Sequence, residues 1–280
     1  MSNSSMQDRN WIKRHPVAAY YGVTIVFTWA IQLPLVAVKQ GWIDVPIPLW
    51  LHYLASFGPT ASALVVTAWT MGKRGLTQLW SDVTRWRVGW VWGLFSVLSP
   101  VVAFGLSMPI VYLFKGTRPD LRLLGAVSYL PRLGLAVLPL WLLTFGFGEE
   151  IGWRGFALPR LQKTMSVTRA TLVLGLMWVL WHAPAFFYHE TYQGMGWITL
   201  LGFVFGVLCG AVLLTWLYNG TRGSVLMAAL WHGTFDLLTA SKAGQDVIPI
   251  VMSALVIAWA LLVANVDKPW GFRFQARHTV

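Results

Sequence analysis

Eight stretches of this chain, each close to the length of a bilayer's apolar core and nearly free of charge, constrain its fold more than any motif does. A hydrocarbon layer roughly 30 Å thick takes about 20 helical residues to cross. The candidate spans run over about 17–38, 48–71, 90–114, 133–161, 168–188, 197–218, 224–239 and 247–266. The second contains His52 and a Gly58-Pro59 break, and the seventh is short. Only 11% of the 280 residues are charged, where a soluble domain carries about 25%, and mean hydropathy is +0.60. These features predict an all-α membrane protein of about eight transmembrane helices, built as one integral domain over residues 1–280.

The net charge of +11 has to be read in that setting. Its lysines and arginines are scattered between apolar runs, without a basic domain or recognition motif, so they point to loop orientation and anionic lipid and not to nucleic acid. A basic start (Arg9, Lys13, Arg14) leads into an apolar stretch too long for a signal peptide's core. The basic groups at the N-terminus, in 73–87 and 154–169, at Arg222 and in the tail (Lys268, Arg273, Arg277) predict a multi-pass protein of the cell membrane with both termini cytosolic. Lys115, Arg118, Arg122 and Arg132 contradict that scheme. Either 115–132 re-enters the membrane or the span count is off by one. Leu76, Leu79, Trp80, Val83 and Trp86 recur at helical spacing in 75–88, which reads as an interfacial amphipathic helix and a membrane anchor.

Against this apolar background the ionisable residues inside spans stand out. The fourth span holds Gly148-Glu149-Glu150-Ile151-Gly152-Trp153-Arg154. A charged carboxylate at helix centre costs roughly 2.5–3.5 kcal/mol on insertion scales. Adjacent carboxylates also repel, so at least one must be protonated or have a cationic partner. Glu150 and Arg154, four apart with the acid first, can pair; Glu149 is rotated by about 100° and needs another reason to exist. The plain alternative is a helix leaving the membrane, its charges already among headgroups.

Two further spans carry His182, and His232 with Asp236. A lone intramembrane histidine is usually a hydrogen-bonded core residue, and His232 and Asp236, four apart, could simply bond within their own helix. Titratable groups on three spans at similar depth should nevertheless face one another or a wet cavity. There they could hold and deprotonate a water, with a shielded glutamate as general base. Other chemistries lack their residues: His189-Glu190 does not begin an H-E-x-x-H, and no G-x-S-x-G elbow or P-loop is present. The single cysteine, Cys209, lies in an apolar run and excludes an internal disulfide.

Glu149-Glu150-x-x-x-Arg154, then Trp178-x-x-x-His182, then His232-x-x-x-Asp236, resemble the three motifs of the CPBP intramembrane proteases. That family includes the CAAX prenyl endopeptidases and the bacteriocin-linked, Abi-type bacterial proteins. The resemblance covers about 145–238, within a protease-like core of about 133–240. It implies an endopeptidase acting on a membrane-associated peptide or lipidated protein, either CAAX-type and prenylated or a bacteriocin or leader peptide. Glu149 would be the general base acting with His182, His232 and Asp236 would serve the oxyanion, and Glu150 and Arg154 would support them. Trp178 stands where the family commonly has Phe, a change expected to affect packing alone. Asp236 stands where the prenyl endopeptidases have Asn, so it must be protonated or must orient His232. If a metal is used, zinc on Glu149, His182 and His232 is the set the resemblance allows. A non-catalytic membrane scaffold or immunity protein, or a proton-coupled transporter, is the alternative from another class.

Overall fold

In the computed structural model the described residues are 11–266, apart from 117, 128–129, 131–132 and 245–246. Arg9, Arg132, Lys268, Arg273 and Arg277, and with them part of the orientation argument, lie outside the described residues. The described residues form helices and connecting turns, with no strand among them. We label them α1 (Pro16–Lys39), α2 (Leu51–Ala55), α3 (Gly58–Val83), α4 (Trp90–Lys115), α5 (Gly134–Leu161), α6 (Val167–Trp181), α7 (Trp197–Gly220), α8 (Val225–Ala240) and α9 (Ile248–Val266). Six segments are long and apolar enough to cross a bilayer: α1, α4, α5, α6 with its extension to Phe187, α7 and α9. The fold is that of an all-α membrane protein.

The two remaining expected spans are shorter than a bilayer in apolar length. α8 is a 16-residue apolar helix. The span expected at 48–71 breaks at Ser56 and Phe57 into α2 and α3. α3 then kinks at Gly72, whose φ of 60° suits a residue without Cβ, and continues to Val83. The amphipathic helix expected at 75–88 is the second of two helices joined across that kink, and it ends at Val83. Its Leu79, Asp82 and Val83 are buried, whereas Trp80 and Trp86 face outward. The segment 115–132 provides no ninth span: its only described helix is a single turn, Leu121–Leu123. Beyond it Ala126 and Val127 are buried, and the Ala126 carbonyl accepts from the Lys242 amide at 2.8 Å, so this loop lies over one end of the bundle.

Lipid tails are as apolar as leucine, so close backbone approach, and not exclusion from water, holds such helices together. α8 crosses α5 where Gly146 faces the Ala229 carbonyl; a Cβ on Gly146 would stand 2.6 Å from that oxygen. α1 is tied to α6 by side-chain bonds: Tyr21 Oη donates to the Met177 carbonyl at 2.8 Å, and Trp181 Nε1 donates to Thr28 Oγ1 at 2.8 Å. The largest core joins Tyr20, Trp153, Phe156, Leu174, Leu214, Leu217 and Val225. α5, with α6 the most buried of the long spans, runs through it, which sets the glutamate pair inside protein instead of against lipid.

Candidate active site

The glutamate pair occupies a regular turn, Gly148–Gly152, between two widened stretches of α5, Leu142–Phe147 and Trp153–Ala157. Such π-type turns are rare and recur at functional sites. Two features favour them here. Pro159 has no N–H to continue the ladder, and its ring crowds the carbonyl four residues back. Thr60 Oγ1 of α3 lies 2.9 Å from the Phe147 carbonyl and 2.8 Å from that of Gly148, supplying a donor where the ladder loosens.

From this turn Glu150 and Arg154 make a fully buried pair, Nη1 to Oε1 at 2.7 Å. The same Oε1 lies 2.9 Å from His232 Nδ1 of α8, an ion-pair contact and not an aligned hydrogen bond. His232 Nε2 in turn faces Asp236 Oδ2 at 3.2 Å. Arg154, Glu150, His232 and Asp236 thus form a continuous line of charge-bearing groups. Arg154 Nε and Nη2 and Glu150 Oε2 are buried and have no protein partner among the described residues. Buried polar atoms of this kind are ordinarily met by ordered water.

Glu149 points elsewhere. Its Oε2 accepts from the indole Nε1 of Trp178 at 2.9 Å, and the residue is 2% exposed. Trp178 is the hub of the cluster. The Arg154 guanidinium lies 4.8 Å over its ring, and the His232 imidazole meets it edge-on at 5.2 Å. Its carbonyl accepts from His182 Nδ1 at 2.8 Å. That carbonyl is available because α6 tightens at its end: the His182 amide bonds back to Val179, three residues away, and Pro184 follows. The bond fixes the His182 tautomer, with the proton on Nδ1 and the lone pair on Nε2.

The six residues singled out from the sequence therefore gather on α5, α6 and α8. Glu150, Arg154, His232 and Asp236 are in direct contact. His182 reaches Glu149 only by way of Trp178, with no hydrogen bond between the two among the described residues. His182 and Asp236 are half-buried while Glu149 and His232 are deep, so the first two flank the open side. Trp178 does more than the packing expected of it: it holds the Glu149 carboxylate through a polar bond that Phe could not make. Its indole orientation is a rotamer property that residue spacing does not encode. His52 of α2 was a second residue without a role in the sequence; its Nδ1 lies 2.6 Å from Tyr188 Oη, and its ring stacks 4.6 Å from that of His189.

The zinc set Glu149, His182 and His232 does not match this geometry. Both nitrogens of His232 face carboxylates, and no three His, Cys, Asp or Glu side chains among the described residues are placed to share an ion, although His182 keeps its Nε2 open.

Residues 131–238 match the family model for type II CAAX prenyl endopeptidases of the Rce1-like kind. The chain is also similar to the "CAAX prenyl protease 2" of Methanococcus maripaludis, with 29% identity over 184 residues. That alignment takes in 64% of this chain and 66% of the relative, just under two thirds of the latter's length.

Proposed function

We propose that this chain is a member of the CPBP family, which its matched segment resembles, and that it is an intramembrane endopeptidase hydrolysing a peptide bond in a membrane-associated substrate. The observation that carries this reading is the meeting of Glu149, His182 and His232 around Trp178, with the presumptive base buried and two polar groups on the open side. A water between the Glu149 carboxylate and His182 Nε2 would lose a proton to Glu149 as its oxygen attacks the scissile carbonyl. Burial of Glu149 keeps competing solvent away and strengthens each polar interaction in the site.

His232 is the donor best situated for the developing oxyanion. Its Nδ1 side is held at 2.9 Å by Glu150, whereas the 3.2 Å contact of Nε2 with the half-exposed Asp236 is the longer one and gives way to a substrate carbonyl. Asp236 orients the ring before the carbonyl arrives and does not touch the oxyanion, which an ionised carboxylate would repel. As the C–N bond breaks, Glu149 returns its proton to the leaving amine, and the balance closes without any other reactant. Glu150 and Arg154 act as positioning residues for His232.

The name of the methanococcal relative makes a prenylated CAAX peptide the first substrate to try, with a leader-type peptide as the second. We place the protein in the cell membrane with its termini toward the cytosol. A membrane relay would string its groups along a path, whereas Glu149, His182 and His232 all meet the one residue Trp178, which favours catalysis. The test is cleavage of both peptides, followed by mass spectrometry, with the parent protein and with Glu149→Gln and His182→Ala in membranes. Loss of general-base action costs about 10²–10⁴-fold. Parental rates from a well-inserted Glu149→Gln protein would falsify the assignment.

A further inference from the structure

The connection between α3 and α4 carries a cleft that shares no lining residue with the candidate active site. It measures about 270 Å³ and is lined by Ser81, Thr84, Arg85, Trp86 and Arg87. Its position is set by the chain on both sides: the distal limb of α3 ends at Val83, and the membrane-length α4 starts at Trp90. Trp80, Trp86 and Trp90 are 67%, 66% and 78% exposed around it. Tryptophans so displayed at the mouth of a span mark the level of lipid headgroups.

The chemistry of the lining is that of an anion site. Arg85 Nη2 bonds to Asp82 Oδ1 at 2.7 Å, which neutralises that carboxylate, and Gln78 Nε2 reaches the same group at 3.2 Å. Arg85 Nε is buried and has no hydrogen-bond partner among the described residues. The exposed Arg87 lies 5.0 Å over the Trp86 ring and has no carboxylate partner among the described residues. Lys73, Arg74, Arg85 and Arg87 leave 73–88 strongly positive against Asp82 alone. The backbone beneath is also fixed: the Arg85 carbonyl accepts from Ser224 Oγ at 2.6 Å, and Ser224 in turn accepts from the Met227 amide as the N-cap of α8. A rigid floor lowers the ordering cost of binding.

We propose that this cleft holds the phosphate of an anionic glycerophospholipid, with Arg85 and Arg87 as its donors and the exposed tryptophans against the upper acyl chains. Guanidinium and phosphate match in geometry, and partly desolvated arginines bind such groups more strongly than free ones. The proposal stands apart from the protease reading and does not depend on it.

The test uses the full chain purified in a mild detergent after exposure to mixed phosphatidylcholine and phosphatidylglycerol vesicles, with retained lipid counted by native mass spectrometry. The parent is expected to keep phosphatidylglycerol in preference to phosphatidylcholine. Arg87→Gln, at an exposed position outside the core, should lower that retention about fivefold, the equivalent of about 1 kcal/mol per cation at a membrane surface. Arg74→Gln removes one positive charge from α3, outside the cleft, and should leave retention within twofold of the parent. Equal losses in both variants, or none in either, overturn the proposal, since attraction would then be diffuse. Displacement of the lipid by millimolar inorganic phosphate at neutral pH also overturns it, because the cleft would then be a site for the free anion.

Discussion

The indole Nε1 of Trp178 donates to Glu149 Oε2 at 2.9 Å across the interface of α6 and α5. Through this one bond a residue from the second motif fixes the direction of the first motif's acid. The carbonyl of the same residue fixes the imidazole of His182. The mutual aim of acid and histidine is thus governed by how one tryptophan sits, not by a contact between them.

Replacing Trp178 by Phe keeps an aromatic ring beside Arg154 and His232 but removes the donor. A hydrogen bond to a charged group contributes about 1.5–3 kcal/mol. Part of it concerns ground-state alignment only, so a drop in kcat of about tenfold is expected, with KM little changed. Peptide cleavage followed at several substrate concentrations separates the two constants. An unchanged kcat would reduce Trp178 to packing.

The Glu150–Arg154 pair predicts an asymmetry in stability. Arg154→Met leaves the Glu150 carboxylate in the protein interior with His232 as its remaining partner, and breaking a buried pair from one side costs about 3–5 kcal/mol. The double variant Glu150→Gln, Arg154→Met removes both charges and should regain much of that loss. Thermal unfolding of the detergent-solubilised proteins reads it directly. Should Arg154→Met melt like the parent, the pair has no structural role.

The contact of Gly146 with Ala229 lies one turn from each half of the site. A methyl group at Gly146 would sit 2.6 Å from a backbone oxygen, which has no flexible side chain to yield, so α8 must shift. Overpacking of this kind costs about 1–3 kcal/mol. Because His232 is three residues from Ala229, Gly146→Ala should reduce cleavage more than its effect on melting implies. Gly202→Ala, with open space around it, serves as the comparison and should be neutral.

The apolar runs were legible because a charge inside a bilayer is costly and residues such as Leu213 or Val256 can be counted in windows of twenty. The same cost made Glu149, Glu150, His182, His232 and Asp236 conspicuous before any helix was placed. What resisted reading depends on local geometry. Lys73 and Arg74 end the hydropathic signal of the second span, yet the chain breaks helical geometry at Gly72 alone and a further helix runs on to Val83. The widened turns of α5 arise where prolines meet a donor, Thr60, contributed from 87 residues upstream. His52 meets Tyr188 across 136 residues, and nothing near it in the chain announces that encounter.

His189 supplies a dependence on pH at the bundle's loop end, between the spans α6 and α7. Burial pushes its imidazole down to about 4, with Glu190 pulling weakly the other way, and its ring stacks on that of His52. The unfolded chain, with an ordinary histidine near 6.5, therefore binds more protons than the folded one between about pH 6.5 and 4. Stability must rise with pH across that window and flatten above it. The full span corresponds to roughly 3 kcal/mol at most, at about 1.4 kcal/mol per unit. His189→Gln, which keeps an acceptor for the Thr191 amide but cannot titrate, should melt at a temperature less sensitive to acidification than the parent. Melting curves taken at pH 7.5, 6, 5 and 4.5 test this. Parallel declines in the two proteins would assign the acid sensitivity to other groups.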